Sequence, residues 1–127
     1  MRINRMFTTA GESPYAGIEF RRAVSEIRNP NGETIFKLEE IDVPARWSQV
    51  AVDIIAQKYF RKAGVASVLR KVEESTVPSW LWRSVPDEDA LASVAEEERF
   101  GGETSAKQVF HRLAGAWTYW GWKGGYF

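Results

Sequence analysis

The absence of cysteine from a chain of 127 residues is the feature that most constrains its fold. Without cysteine there is no disulfide, no thiolate metal site, no cysteine nucleophile and no thiyl radical. The only histidine, His111, rules out a metal site built from a histidine pair and most acid–base triads within one chain. A hydrophobic core alone must therefore hold the fold together.

A chain of this length can form such a core as one domain. A folded monomer of its mass keeps about 6,900 Å² of accessible surface, against about 21,000 Å² for the unfolded chain, so roughly two-thirds can be buried. Hydrophobic residues make up 44% of the chain and charged residues 27%, which is typical of a soluble globular protein. The first residues lack the apolar segment of a signal peptide, and no run is long enough to cross a bilayer, so we expect a cytoplasmic protein.

The charges balance overall but are segregated along the chain. Seventeen basic residues face seventeen acidic ones, which argues against bulk electrostatic capture of nucleic acid or anionic lipid. Residues 44–71 nevertheless carry six basic residues and one acidic residue, and residues 87–103 carry seven acidic residues and one basic residue. Two solvated faces are the simpler interpretation, and a face that docks a charged partner is the alternative.

Residues 18–43 predict a β-hairpin. The sequence NPNG at 29–32 is a turn signal, because Asn and Gly tolerate positive φ. On the second strand, the apolar residues before Glu39 and those after Glu40 alternate onto opposite faces. A β-bulge at these two glutamates would return both sets to one face.

Residues 45–63 predict the clearest helix, with a wide apolar face and a polar stripe at four-residue spacing. Pro44 is suited to open this helix and Gly64 to end it. Such a wide apolar face indicates a central helix rather than a surface one. We expect a second, shorter helix over 66–75.

Two more helices are predicted in the second half of the chain. The acidic sequence DEDALASVAEEERF, which follows Pro86, predicts a helix of about three turns. Ser105 and Gln108 form a capping box, which places the start of the last helix. Apolar residues recur at helical spacing from there to Gly121, the expected stop.

The fold class predicted from these elements is α+β, with an N-terminal β-hairpin followed by three or four packed helices. We expect a single domain, divided into an arm at 1–17, the hairpin at 18–43, a helical part at 44–120 and a loop at 121–127. The predicted core residues of the helical part are Trp47, Ile54, Phe60, Leu113 and Trp117.

No residue cluster indicates a catalytic, cofactor-binding or metal site. The sequence GGETS at 101–105 places glycines before a helix N-terminus, which can bind phosphate, but Glu103 would repel an anion and the Lys-Ser/Thr of a P-loop is absent. Simple helix capping is the better interpretation. His111 is predicted to lie on the solvent side of the last helix, and the acidic clusters lack spacing that would converge on a metal.

The aromatic residues are the best candidates for a binding surface. Trp47 and Trp117 lie on apolar helix faces and are predicted to be core residues. The other four tryptophans lie at helix ends or in loops, where a core anchor and an exposed recognition surface are both open interpretations. With the last two aromatic residues they form the candidate docking surface: Trp80, Trp82, Trp120, Trp122, Tyr126 and Phe127.

Four long and unusual strings carry more information than any short motif in this chain. They are FRRAVSEIRNPNG, RWSQVAVDIIAQKYFRKAGV, VPSWLWRSVPDE and GGETSAKQVFHRLAGAWTYWGWKGGYF. Together with the residues between them they resemble the N-terminal region of class II, adenosylcobalamin-dependent ribonucleotide reductases over nearly the whole chain. One departure is Ala66, where a proline is expected after KAGV; it loosens a helix start and touches no chemistry.

The resemblance implies a structural or docking domain of an enzyme that reduces ribonucleotides to deoxyribonucleotides for DNA synthesis. In that family adenosylcobalamin supplies a radical, a cysteine becomes a thiyl radical and a cysteine pair delivers electrons, all within a large α/β barrel that follows this region. The resemblance thus implies the downstream barrel as partner and adenosylcobalamin as cofactor of the full-length enzyme. No catalytic, cobalamin-binding or metal residue of the family can be assigned here, and the segment alone is expected to be inactive.

The ending Trp-Lys-Gly-Gly-Tyr-Phe, without a polar tail, leads us to expect the leading domain of a longer enzyme or a cut or split product of one. Two alternatives stay open. One is a freestanding protein-interaction module. The other is a nucleotide-binding or nucleic-acid-binding module that uses the basic stretch 44–71 together with the aromatic residues.

Overall fold

A computed structural model describes all residues from 1 to 127 as a mixture of short strands and helices around an N-terminal hairpin. The strands pair in three separate two-stranded antiparallel sheets, β1 with β2, β3 with β6 and β4 with β5. The elements in chain order are β1 (Phe20–Arg28), β2 (Thr34–Pro44), α1 (Gln49–Ile54) continued by a π-helical turn (Ile55–Tyr59), β3 (Val65–Ala66), β4 (Leu69–Lys71), a 3-10 turn (Ser79–Leu81), β5 (Ser84–Pro86), α2 (Glu88–Leu91), a 3-10 turn (Glu96–Glu98), β6 (Phe100–Gly101) and α3 (Ala106–Lys123).

The hairpin and its bulge are confirmed. Ala23 pairs with Ile41 and Ser25 pairs with Leu38, so two glutamates on β2 lie opposite a single residue on β1. The second of them, Glu40, takes a left-handed φ of 54°, which is unusual for a residue other than glycine. The bulge turns the side chain of Ile41 inward, where it is fully buried.

The predicted helix over 45–63 is wrong at both ends. It begins only after Ser48, whose hydroxyl accepts the Ala51 N–H at 3.2 Å. The preceding residues form a turn, in which the Trp47 N–H donates to the Pro44 carbonyl oxygen and the Arg21 side chain donates to the Ala45 and Trp47 carbonyl oxygens. The helix ends at Tyr59, since Phe60 is already extended with ψ of 129°. Pro44 therefore closes β2 instead of opening a helix.

The predicted helix over 66–75 and the long acidic helix are also wrong. Ala66 pairs with Phe100, and Leu69–Lys71 pairs with Ser84–Pro86. Short apolar runs do not distinguish a strand from a helix by periodicity, and the available partner decided between them here. The acidic segment forms only the four-residue α2, capped by Asp87, before it returns as turns towards β6.

The last helix confirms the capping box. The Ser105 hydroxyl accepts the Lys107 N–H at 3.2 Å, while the Gln108 side chain accepts the Ser105 N–H at 3.0 Å. The helix continues through Gly121, the expected stop, to Lys123, and its C-cap is Gly124.

The core lies where the hairpin, α1 with its π-turn, and the first half of α3 meet. Phe60 is buried there as predicted, and Trp47 and Leu113 pack against it partly buried. The prediction is wrong for Ile54, which is 51% exposed, and for Trp117, which is 63% exposed. The buried members are Ala23, Ile41, Val43, Val52, Ile55, Ala56, Phe60, Ala106 and Val109.

The mixed α and β content and the N-terminal hairpin agree with the predicted fold class. Three α-helices are present, but α1 has six residues and α2 has four, so α3 with its eighteen residues is the only long one. None of the helices has the length and apolar character needed to cross a membrane.

Candidate docking surfaces

Four of the six candidate docking residues have open aromatic faces. Trp80 is 68% exposed, Trp120 is 65% exposed and Tyr126 is 64% exposed, and the Phe127 ring is also accessible. They come from the 3-10 turn at Ser79–Leu81 and from the end of α3 with the residues after it.

The other two candidates, Trp82 and Trp122, use their indole N–H groups to fix the loop before the 3-10 turn. Trp82 Nε1 donates to the Val77 carbonyl oxygen at 2.9 Å and to the Glu74 carbonyl oxygen at 3.1 Å. Trp122 Nε1 donates to the Thr76 carbonyl oxygen at 2.8 Å. Their indole N–H groups are therefore used within the chain to hold this loop, although part of the Trp122 ring stays exposed.

Glu74 anchors the same loop to α3. Its carboxylate accepts the Tyr119 hydroxyl at 2.7 Å and the Lys123 ammonium at 2.5 Å. The hydrogen bond from Lys123 lowers the pKa of Glu74, and the hydrogen bond to the Glu74 carboxylate raises the pKa of Tyr119. These contacts hold the loop, and with it Trp82, against the C-terminal half of α3.

The residues after α3 fold back onto the helix. The Tyr126 N–H donates to the Gly121 carbonyl oxygen at 2.9 Å. The Phe127 ring packs so closely on Gly121 that a Cβ atom at this position would lie only 2.5 Å from the nearest ring carbon. Glycine at 121 therefore gives the ring its place on α3. Hydrogen bonds to the backbone thus hold Trp82, Trp122 and Tyr126 in position, which limits the entropy that these residues would lose on binding.

A second apolar surface, which sequence reasoning did not identify, lies between α1 and α3. It is a groove of about 370 Å³ whose lining is entirely hydrophobic. Within the lining, the Trp47 and Phe110 rings meet edge to face, with centroids 5.8 Å apart. The lining residues are Trp47, Ala51, Ile54, Ile55, Tyr59, Val109, Phe110 and Leu113.

The signal for this groove was present in the sequence as the unusually wide apolar face of α1. That width predicts a central helix, which the structure does not bear out over the whole face. In the structure only part of the face is covered, and the Ile54 and Tyr59 side chains are about half exposed.

The buried polar groups form closed networks rather than a chemical centre. Glu103 is 4% exposed, accepts the Arg61 N–H at 2.7 Å and forms an ion pair with Arg112 at 3.1 Å. The fully buried Ser25 hydroxyl donates to Asp53 at 2.7 Å. Every buried side-chain nitrogen and oxygen has a hydrogen-bond partner, and no group of three or more potential metal ligands converges.

The N-terminus of α3 and the histidine agree with the simpler interpretations. The Gln108 side chain takes the Thr104 and Ser105 N–H groups, so GGETS functions as a helix cap. His111 is exposed on the surface of α3. The next residue on the helix, Arg112, already forms an ion pair with Glu103.

Comparison with known proteins points to one family. A family profile described as class II vitamin B12-dependent ribonucleotide reductase matches residues 21–127. The vitamin B12-dependent ribonucleotide reductase of Bradyrhizobium diazoefficiens is 68% identical over all 127 residues, and that of Agrobacterium fabrum is 66% identical over the same length. The protein of the same name from Streptomyces avermitilis is 39% identical over 64 residues, half of this chain.

The match covers a small part of these relatives. The chain spans 10% of the length of the Bradyrhizobium and Agrobacterium proteins, at their N-terminal ends, and the aligned part of the Streptomyces protein is 7% of its length.

Proposed function

Because this chain belongs to the class II vitamin B12-dependent ribonucleotide reductase family, we propose that it is the N-terminal structural domain of such an enzyme. In this proposal the enzyme reduces ribonucleotides to deoxyribonucleotides for DNA synthesis, and the domain docks on the catalytic barrel that follows it. The domain itself performs no step of the reduction.

The observation that carries the proposal is the surface that the chain leaves open. Its accessible surface is 9621 Å², about 2,700 Å² more than the roughly 6,900 Å² expected for a folded monomer of its mass. A protein–protein interface of standard size covers about 800 Å² on each partner. The extra accessible surface therefore exceeds the area that one partner buries in a standard interface. This supports a domain whose surface is partly covered by another part of a larger protein.

The chemistry of the side chains supports a structural role. The cysteines that the family resemblance assigns to radical and electron transfer have no counterpart in this chain. The residues present do not fit a cobalamin site either, because the apolar groove between α1 and α3 offers no polar group to a corrin side chain and the lone His111 stands apart on an exposed helix face. Cobalamin binding is thus expected in the remainder of the enzyme.

The surface proposed for docking is the aromatic end formed by Trp80, Trp82, Trp120, Trp122, Tyr126 and Phe127. Trp80 and Trp120 present open rings on backbone that is fixed by the contacts of Glu74 and Trp122. Rigid, exposed tryptophans are typical of the residues that contribute most binding energy at interfaces.

A chimera tests the docking role in a full-length enzyme. The N-terminal region of the Bradyrhizobium relative is replaced by this chain, and Trp80→Ala with Trp120→Ala is introduced in the chimera and in the isolated chain. Each interface tryptophan contributes about 2 kcal/mol or more, so the pair should lower the thermal stability of the chimera but not of the isolated chain. Phe100→Ala, at another exposed aromatic residue, is the matched control.

Two results would contradict the proposal. If the double variant and the control have the same effect in the chimera, the aromatic end is not the docking surface. If the isolated chain forms deoxyribonucleotide when supplied with adenosylcobalamin and a reductant, the domain is not merely structural.

A further inference from the structure

The groove lies between α1 and the first half of α3, whereas the proposed aromatic docking surface uses the 3-10 turn at Ser79–Leu81 and the C-terminal end of α3. Resting on the proposed function, we infer that this groove binds an acidic amphipathic helix from the reductase polypeptide beyond this domain. The domain then contacts the rest of the enzyme at two places, the aromatic end and the groove.

The lining of the groove selects an apolar occupant. All eight lining residues are hydrophobic, and half-exposed side chains such as Ile54 and Tyr59 remain in contact with water. A volume of about 370 Å³ lies within the range of small-molecule pockets, but such pockets carry a few placed polar groups that orient the ligand. This groove has none, so apolar side chains of a polypeptide suit it better than a nucleotide or another polar ligand.

The length of the groove suits a short helix. The wall formed by α1 and its π-turn runs for eleven residues, from Gln49 to Tyr59, or about 15 Å. A helix that inserts apolar side chains at positions i, i+3 or i+4, and i+7 spans about 11 Å between the first and the last of them. Two to three turns of an amphipathic helix therefore match the groove.

The charges beside the groove select an acidic occupant. Helix α3 carries no carboxylate, and the only one on α1 and its π-turn, Asp53, accepts hydrogen bonds from Ser25 and Gln49. Lys58, four residues after Ile54, is exposed and forms no ion pair, and the same holds for Arg46. Acidic side chains on the rim of the occupant would find these cations unpaired.

The acidic segment of a second copy of this chain does not meet both requirements. Its helix α2 has four residues, and its leucine, Leu91, is buried within its own molecule. The relatives, by contrast, are about ten times longer than this chain and supply a large amount of polypeptide beyond the matched region. The downstream polypeptide is therefore the assigned occupant.

Hydrogen exchange in the Bradyrhizobium chimera tests this assignment. We expect amides in residues 50–59 to exchange about tenfold or more slowly in the chimera than in the isolated chain. Ile54→Ser and Lys58→Glu should each restore the faster exchange. The matched controls are Val50→Ser, an exposed residue of α1 outside the groove lining, and Arg70→Glu, an exposed cation on β4 without an ion pair.

Each alternative outcome has a distinct meaning. Equal exchange of residues 50–59 in both proteins would overturn the inference. So would concentration-dependent protection in the isolated chain together with a dimer in sedimentation equilibrium, since a second copy would then fill the groove. Protection at the groove with silent Trp80 and Trp120 variants would refute the aromatic docking surface alone, and no protection at either place would refute the docking function itself.

Discussion

Replacing Glu103 by alanine should destabilise the chain by about 3–5 kcal/mol, the range typical of breaking a buried ion pair by removing one partner. The carboxylate joins three parts of the chain. It accepts the backbone N–H of Arg61, just beyond the π-turn, at 2.7 Å, and receives the Arg112 guanidinium from α3 at 3.1–3.2 Å. The same guanidinium also donates to the Tyr59 carbonyl oxygen.

The size of the loss follows from what remains buried without the carboxylate. Arg112 would keep a charge with 26% of its side chain exposed and no counterion, and the Arg61 N–H would lose its acceptor. Such a loss is a large part of the 5–15 kcal/mol that stabilises a typical domain. Glu103→Gln should cost less, about 1.5–3 kcal/mol, because the amide oxygen can still accept the Arg61 N–H although the charge is gone.

Urea unfolding of the chain, followed by tryptophan fluorescence and circular dichroism, measures these losses. Glu97→Gln, at an exposed position without hydrogen bonds or ion pairs, is the control and should change stability by less than about 0.5 kcal/mol. A double-mutant cycle with Arg112→Met should give a coupling energy of about 1 kcal/mol or more. Additive losses, or a Glu103→Gln variant as stable as the control, would refute the role assigned to this ion pair.

Four further substitutions test other parts of the structure. Gly121→Ala puts a methyl group 2.5 Å from the terminal phenylalanine ring and should speed limited proteolysis of the last residues, whereas Gly115→Ala, with open space around it, should stabilise α3 by about 0.5–1 kcal/mol. Ser105→Ala removes the cap of α3 and should cost about 1 kcal/mol in urea unfolding; an unchanged midpoint would contradict the cap. The hydrogen bond from Lys123 lowers the pKa of Glu74 below 4.5, so its stabilising contribution is present above that pH and is lost as the pH falls through the folded-state value. Glu74→Gln should therefore be less stable than the parent near neutral pH and should match it in acid, as thermal denaturation at several pH values would measure.

The parts of the fold that were predicted correctly are those decided by neighbouring residues. The bulge at Glu39 and Glu40 was required by the two-residue period of a strand, since no regular hairpin could bury both apolar sets on β2. The capping box was recognised because Ser105 and Gln108 satisfy the first N–H groups of α3 without help from any other element.

The errors occurred where distant residues decided the outcome. The π-turn leads into extended chain because the Glu103 carboxylate takes the Arg61 N–H, and no pattern near Arg61 indicates this. A helix is predicted over residues 66–75, but Ala66 pairs with Phe100 of β6 and Leu69 pairs with Pro86 of β5. These partners lie more than fifteen positions away in the sequence, beyond the reach of local periodicity.

The errors about burial share one cause, and it bears on function. Ile54 and Trp117 were placed in the core because they lie on apolar helix faces, yet both are more than half exposed. Periodicity reports which face of a helix is apolar, but it does not report whether the same molecule covers that face. An apolar face that the chain itself does not cover stays in contact with water. This forgoes about 25 cal/mol of stabilising free energy for each Å² of apolar surface. The exposed apolar positions that are wrongly predicted as core, Ile54 and Trp117, are therefore the kind of surface that the proposed docking requires.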